Sequence, residues 1–167
     1  DALANVEAGV YAVALEQIVR QADARWVLLG STKRGKELAG RLAQRLGCGS
    51  VTDATGIDLE DGELVVRRFA FGGNTVARER ITSTRQVVAV MPRSFEAEPG
   101  PVPGQVVAPA LDLPAPRVRL VERRAKAAAT ADIEGAATLV CVGKGLAKQE
   151  DLAIVEALAD ALGAEIG

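Results

Sequence analysis

Hydrophobic and polar positions change their rhythm several times along this chain. Between Asn5 and Ala22, the residues Val10, Ala14, Leu15, Ile18 and Val19 recur at helical spacing and predict an amphipathic helix. Trp26 to Gly30 is a short apolar run of the kind expected for a strand buried on both faces. Leu38, Leu42 and Leu46 then repeat every four residues with Ala39 and Ala43 beside them, and Gly47 stands where a helix would stop. Helix, strand and helix in this order predict α/β layering around a parallel sheet.

From Ser50 the period becomes two. Asp61-Gly62 is a hairpin signal between Ile57–Leu59 and the run ELVVRRFAF. Gly72-Gly73-Asn74 marks a second turn before TVARERIT, and Gln86 to Met91 is a further apolar strand. An antiparallel meander is therefore expected to be grafted onto the parallel part. All seven prolines fall between Pro92 and Pro116, which predicts an extended, irregular connector. After it RVRLVERR alternates like an exposed strand, ADIEGA reads as a turn, and Thr138 to Val142 is expected to be a buried strand. Gly143-Lys144-Gly145 then leads into a helix with Leu152, Val155, Leu158 and Leu162 as its apolar positions. The chain begins at Asp1 on helix-like sequence without an initiator Met and stops at Glu165-Ile166-Gly167, where another strand could start, so it reads as a piece of something longer.

Composition narrows the chemistry. The 167 residues are 49% apolar and 25% charged with a net charge of −2, ordinary for a globular protein and without a pull toward nucleic acid or an anionic membrane. No apolar run approaches the ~18 residues of a membrane span. Histidine is absent, which removes Ser-His-Asp and Cys-His nucleophiles and any His-ligated metal. Cys48 and Cys141 lie far apart without C-x-x-C spacing and are expected to be small buried apolar residues.

Two glycine-bearing turns are candidates for phosphate chemistry. Residues 30–37, GSTKRGKE, fit seven positions of the phosphate-loop pattern G-x-x-x-x-G-K-[ST]. The last position, whose hydroxyl would hold Mg²⁺, is Glu37, a carboxylate expected to repel the phosphates. The stretch is read as a tight strand-to-helix turn in which Gly30 and Gly35 give backbone clearance. Val142-Gly143-Lys144-Gly145-Leu146 is the second candidate, since a glycine turn between strand and helix is where α/β folds place phosphates.

Three stretches together resemble one family, the alpha subunit of electron transfer flavoprotein. FAFGGNTVARERITSTRQVVAVMPRSFEAEPG is similar to its aromatic-Gly-Gly-Asn turn, paired strands and Pro-x-x-Phe-Glu/Asp close. LVCVGKGLAKQEDLAIVEALADALGAEIG is similar to its V-S-G-G-R-G-L segment and the helix ending L-A-D-x-L-G-A-x-x-G. VLLGSTKRGKELAGRLAQRLGCGSVTDA resembles its helix running into a small-residue turn and Thr-Asp. Lys144 stands where the family has an FAD-contacting Arg, Val142 replaces the first Gly of that motif, and Met91 stands where Arg is frequent.

The resemblance implies a Rossmann-like parallel sheet with helices and an added antiparallel β-meander, akin to adenine nucleotide hydrolases, over residues 1–131, an N-terminal α/β domain lacking the family's first strands. Residues 132–167 would be the first strand and helix of an FAD-binding domain. It further implies an electron carrier without substrate turnover of its own, paired with a beta subunit that holds a structural AMP in its related domain. FAD would be contacted by Lys144, Gly143 and Gly145, with most ligands beyond Gly167 and no metal or catalytic residue. Acyl-CoA or other dehydrogenases would donate electrons, and a quinone reductase or another acceptor would receive them. Bacterial or archaeal cytoplasm is the expected location, with the mitochondrial matrix as the alternative. The rival reading is a stand-alone module binding ATP or AMP at Gly30 to Lys36.

Overall fold

The computed structural model describes residues 3, 4, 7–97, 100, 104–122, 124, 133, 135–146 and 148–167. They divide into two units, Asp1–Leu120 and Val121–Gly167.

In the first unit, helix α1 (Ala8–Gln21) buries Val10, Ala12, Ala14 and Val19, while Ile18 stays on its exposed side. Strand β1 (Trp26–Gly30) feeds helix α2 (Lys33–Leu46). The Thr32 hydroxyl caps α2 by accepting the Gly35 N–H at 3.1 Å, and Gly47 ends it in the left-handed region at φ 64°. Strands β2 (Gly49–Glu60), β3 (Glu63–Ala70), β4 (Thr75–Arg80) and β5 (Gln86–Val90) complete the regular elements.

All five strands form one sheet in the order β1-β5-β2-β3-β4. β5 runs parallel to both β1 and β2, whereas β2–β3 and β3–β4 are antiparallel. The expected parallel sheet and meander are thus one surface, and β2 belongs to both. Its first residues pair with β5 and its later ones with β3, and the ladder shifts register on either side of Ala54. Asp61 and Gly62 both adopt positive φ, 51° and 79°, as a tight hairpin with matching twist requires.

β5 is the central strand, and its two faces carry the core. Val87 and Ala89 lie with Ala39, Leu42 and Ala43 of α2. Val88 lies with Val51, Ala54, Leu64, Val66 and Ile81. β1 departs from expectation here. It is an edge strand covered on one face, so Val27 and Leu29 pack beneath α2 while Trp26 and Leu28 on the opposite face remain exposed, Leu28 by 58%.

Residues 104–122 contain no helix or strand, in keeping with the proline content. They are tied to α1 by side chains. Gln17 exchanges two hydrogen bonds with the backbone of Asp112, Gln21 donates to the Ala110 carbonyl at 3.2 Å, and Glu7 accepts the Arg117 amide at 2.7 Å. The strand expected from RVRLVERR is absent among its described residues. No neighbouring strand offers a ladder, and the first two amides go to the Glu7 carboxylate instead.

The second unit holds β6 (Leu139–Val140), helix α3 (Leu152–Leu162) and β7 (Glu165–Ile166), with β6 parallel to β7. The buried strand expected over Thr138 to Val142 is shorter and half open. β6 has one neighbour and one helix, so Leu139 remains 36% exposed, and in α3 Leu158 and Leu162 are exposed and only Ala159 is buried. Cys141 is exposed rather than buried, while Cys48 is half-buried, and burial pushes the Cys48 thiol pKa up against the opposing charge of Arg85. Half of the turn expected at ADIEGA, residues 131, 132 and 134, lies outside the described residues.

Candidate functional site

The carboxyl ends of β1 and β5 meet the point where β2 leaves its parallel pairing at the start of α2, the crest where open α/β sheets place ligands. Gly30 ends β1. The next amide, of Ser31, donates to the carbonyl of Val90 at the end of β5 at 2.6 Å. Ser31 is 7% exposed, and its hydroxyl donates to the Asp53 carboxylate at 2.9 Å while accepting the Asp53 amide at 3.1 Å. Asp53 sits where β2 leaves its parallel pairing, with a left-handed φ of 59°. That conformation is costly for a side chain other than glycine, and Asp tolerates it better than most.

The Lys36 ammonium, which a phosphate loop would offer to nucleotide, lies 2.7 Å from Asp53. The Lys36 hydrogen bond lowers the Asp53 pKa, burial opposes it, and the Ser31 hydroxyl adds to the lowering. Several loop amides are spent inside the chain as well. Thr32 donates to the Gly30 carbonyl, Gly35 to the Thr32 hydroxyl and Lys36 to the Thr32 carbonyl. Gly35 is required sterically, because a Cβ there would lie 1.7 Å from the Gly30 carbonyl oxygen.

Glu37, singled out in the sequence as the group opposing phosphate, is engaged elsewhere. Its carboxylate pairs with Arg41 one turn along α2 at 2.9 Å. The carboxylate that meets the loop lysine is Asp53, brought in from β2 twenty-two residues from Ser31. Sequence reasoning missed it. Its signal was an Asp interrupting a period-two run of strand-forming residues, where Asp is disfavoured.

The second candidate turn has a different character. Gly143, Lys144 and Gly145 are exposed, and a Cβ on either glycine would meet nothing within 4 Å. The Leu146 amide donates to the Gly143 carbonyl at 3.3 Å, which closes the turn. Among the described residues, the amides of Gly143, Lys144 and Gly145 have no acceptor within the chain. The sequence suggests that this turn runs straight into a helix. Instead a 3₁₀ turn, Gln149–Asp151, precedes α3, so the turn is not part of the first turn of α3.

A cleft of about 880 Å³ opens between α1, α2 and the connector, lined by Glu7, Glu37, Arg41, Arg45, Arg117 and Asp112 among others. Its charges alternate in sign and are largely engaged within the chain. Glu37 pairs with Arg41, and Arg45 pairs with Glu16 at 2.6 Å. Among the described residues no cluster of His, Cys, Asp and Glu could hold a metal ion, and no helix is long and apolar enough to cross a membrane.

Comparison with known proteins agrees with this two-part layout. Residues 1–116 match the family model described as the electron transfer flavoprotein domain, and residues 132–167 match that of the electron transfer flavoprotein FAD-binding domain. Along all of its length the chain is 37% identical to a protein of Escherichia coli (strain K12) named provisionally as electron transfer flavoprotein subunit YdiR, of which it covers 54%. It is 31% identical, over 93% of its length, to Protein FixB of Salmonella typhimurium (strain LT2), and 30% identical to Protein FixB of Escherichia coli (strain UTI89), covering 51% of each. The chain thus spans about half the length of these relatives. With the two models in this order on one polypeptide, the chain belongs to the electron transfer flavoprotein family, as a subunit of the alpha type.

Proposed function

We propose that the complete protein is the alpha subunit of an FAD-containing electron carrier. The observation that carries this reading is the order of the two family segments, with a FAD-binding segment opening at residue 132 after an α/β domain whose loop lysine is paired with Asp53. In this reading the FAD-binding segment begins at residue 132, where the second family match begins, and the α/β domain takes the residues before it. FAD supplies the electron storage; the polypeptide binds it and sets its surroundings.

The donor chemistry of the glycine turn fits part of that cofactor. Three consecutive amides without acceptors and one exposed ammonium, at Gly143, Lys144 and Gly145, form a set that accepts an anionic or electron-rich group. Lys144 is a point charge without the planar fork of Arg, so it would bind by charge rather than by a bidentate contact.

In this reading the subunit pairs with a beta-type subunit, takes electrons from acyl-CoA or other dehydrogenases and delivers them to a quinone reductase or comparable acceptor. It turns over no substrate itself, needs no metal, inserts in no membrane and binds no nucleic acid. It works in the bacterial or archaeal cytoplasm. The test is to produce the full-length protein with its beta-type partner. A yellow complex that retains flavin and is reduced by a dehydrogenase with its substrate is expected; a colourless complex that takes up no FAD would refute the reading. A stand-alone nucleotide module is disfavoured by the pairing of Lys36 with Asp53.

A further inference from the structure

The loop that most resembles a nucleotide site is left without a task by the flavoprotein reading, and the structure suggests why. Gly30 and Val90, at the carboxyl ends of β1 and β5, come together beside the start of α2 with Asp53, where β2 leaves its parallel pairing. An anion is already seated there, and it belongs to the chain. The Asp53 carboxylate receives the Ser31 hydroxyl at 2.9 Å and the Lys36 ammonium at 2.7 Å. Both sides of the ion pair reach solvent, with the Lys36 side chain 46% and the Asp53 side chain 33% exposed. The pair is therefore within reach of a phosphate from solvent.

We propose that Asp53 is the selectivity determinant of this domain, an internal carboxylate that takes the place of a bound phosphate on Lys36 and keeps the loop closed to nucleotides. A phosphate approaching Lys36 meets a full negative charge within about 4 Å, and Lys36 must give up its partner before it can bind. Ser31 fixes the carboxylate by a reciprocal pair of hydrogen bonds, and the left-handed backbone at Asp53 turns that residue out of the β2 ladder. Glu37 is not the barrier, because it is paired with Arg41. The proposal does not depend on the flavoprotein reading, since its readout is phosphate binding and not redox activity.

The experiment titrates inorganic phosphate, and separately ATP with and without Mg²⁺, into the full-length protein and three variants: Asp53→Ala, Asp53→Asn and the double variant Asp53→Ala with Lys36→Ala. Asp53→Asn keeps the shape and an oxygen for Ser31 while removing the charge. With FAD in excess to fill the flavin site, wild type should give no saturable signal at millimolar ligand. Both single variants should bind phosphate about tenfold or more tightly than wild type, and the double variant should lose that gain. Correctly folded single variants that bind no better than wild type would overturn the proposal. So would wild type binding phosphate as well as they do. Failure of both single variants to fold would also overturn it, since the carboxylate would then be a condition of folding and not of selectivity.

Discussion

The side-chain amide of Gln17 pairs with the backbone of Asp112 in both directions, its nitrogen donating to the carbonyl and its oxygen accepting the amide at 2.9 Å. A glutamine on α1 thereby does for one residue of the connector what a neighbouring strand does for a ladder residue. Gln21 and Glu7 extend the attachment, so a proline-broken segment follows α1 by three side chains instead of by backbone pairing.

That attachment predicts a local effect. Gln17→Ala and Glu7→Ala should accelerate hydrogen exchange at the amides of Asp112, Arg117 and Val118, by roughly fivefold for bonds worth about 1 kcal/mol each. Global stability should change little, because the connector contributes few buried residues. Exchange at these amides indistinguishable from wild type would mean that the contacts do not hold the segment in solution.

Asp53 should leave a signature in the pH dependence of stability. Its folded pKa is lowered, so its contribution is present above the unfolded value of about 3.9 and is lost as pH falls through the folded value. Stability of the wild type should therefore decline more steeply below about pH 4 than that of Asp53→Asn, and the two curves should converge in acid. Urea midpoints measured across this range decide it, and parallel curves would exclude a stabilising Lys36–Asp53 pair.

Two glycines of α2 make a matched pair. Gly35→Ala places a methyl group 1.7 Å from the backbone oxygen of Gly30, which cannot move without disturbing β1, and should cost about 3 kcal/mol or more. Gly40 is exposed on the same helix with nothing within 4 Å of its would-be Cβ. Gly40→Ala should raise stability by about 0.5–1 kcal/mol through helix propensity alone. Denaturant unfolding of both variants tests the geometry of the loop directly, and equal effects would contradict it.

Local signals were legible where chemistry acts over a few residues. The Leu38–Leu42–Leu46 stripe, Gly47 and the Asp61-Gly62 turn mark α2 and the β2–β3 hairpin without help from the rest of the chain. What depends on lateral order was not legible. That β5 inserts between β1 and β2 is decided by long-range packing, and with it the exposure of Leu28 and the arrival of Asp53 beside Lys36. Glu37 looked like the barrier to phosphate because it is adjacent in sequence, yet a helix turns it toward Arg41. Alternation in Arg117–Arg124 suggested a strand, but alternation describes a face and does not supply a partner for the ladder.

Lys144 is the residue on which the role of the Gly143–Gly145 turn in holding flavin can be decided. It stands in an open turn between β6 and the 3₁₀ turn preceding α3, flanked by two glycines that crowd nothing. If it contacts FAD in the complete heterodimer, its positive charge stabilises the electron-rich reduced form more than the oxidised one. Lys144→Ala should then loosen FAD or lower its reduction potential, while Lys144→Arg should match or exceed wild type by keeping the charge and adding donors. Flavin content after gel filtration and a spectroelectrochemical titration measure the two effects separately. A residue that merely completes a tight turn moves neither quantity in either variant. Unchanged retention and potential in both would therefore assign Lys144 to the turn and require the cofactor to be held by other residues of the full-length subunit.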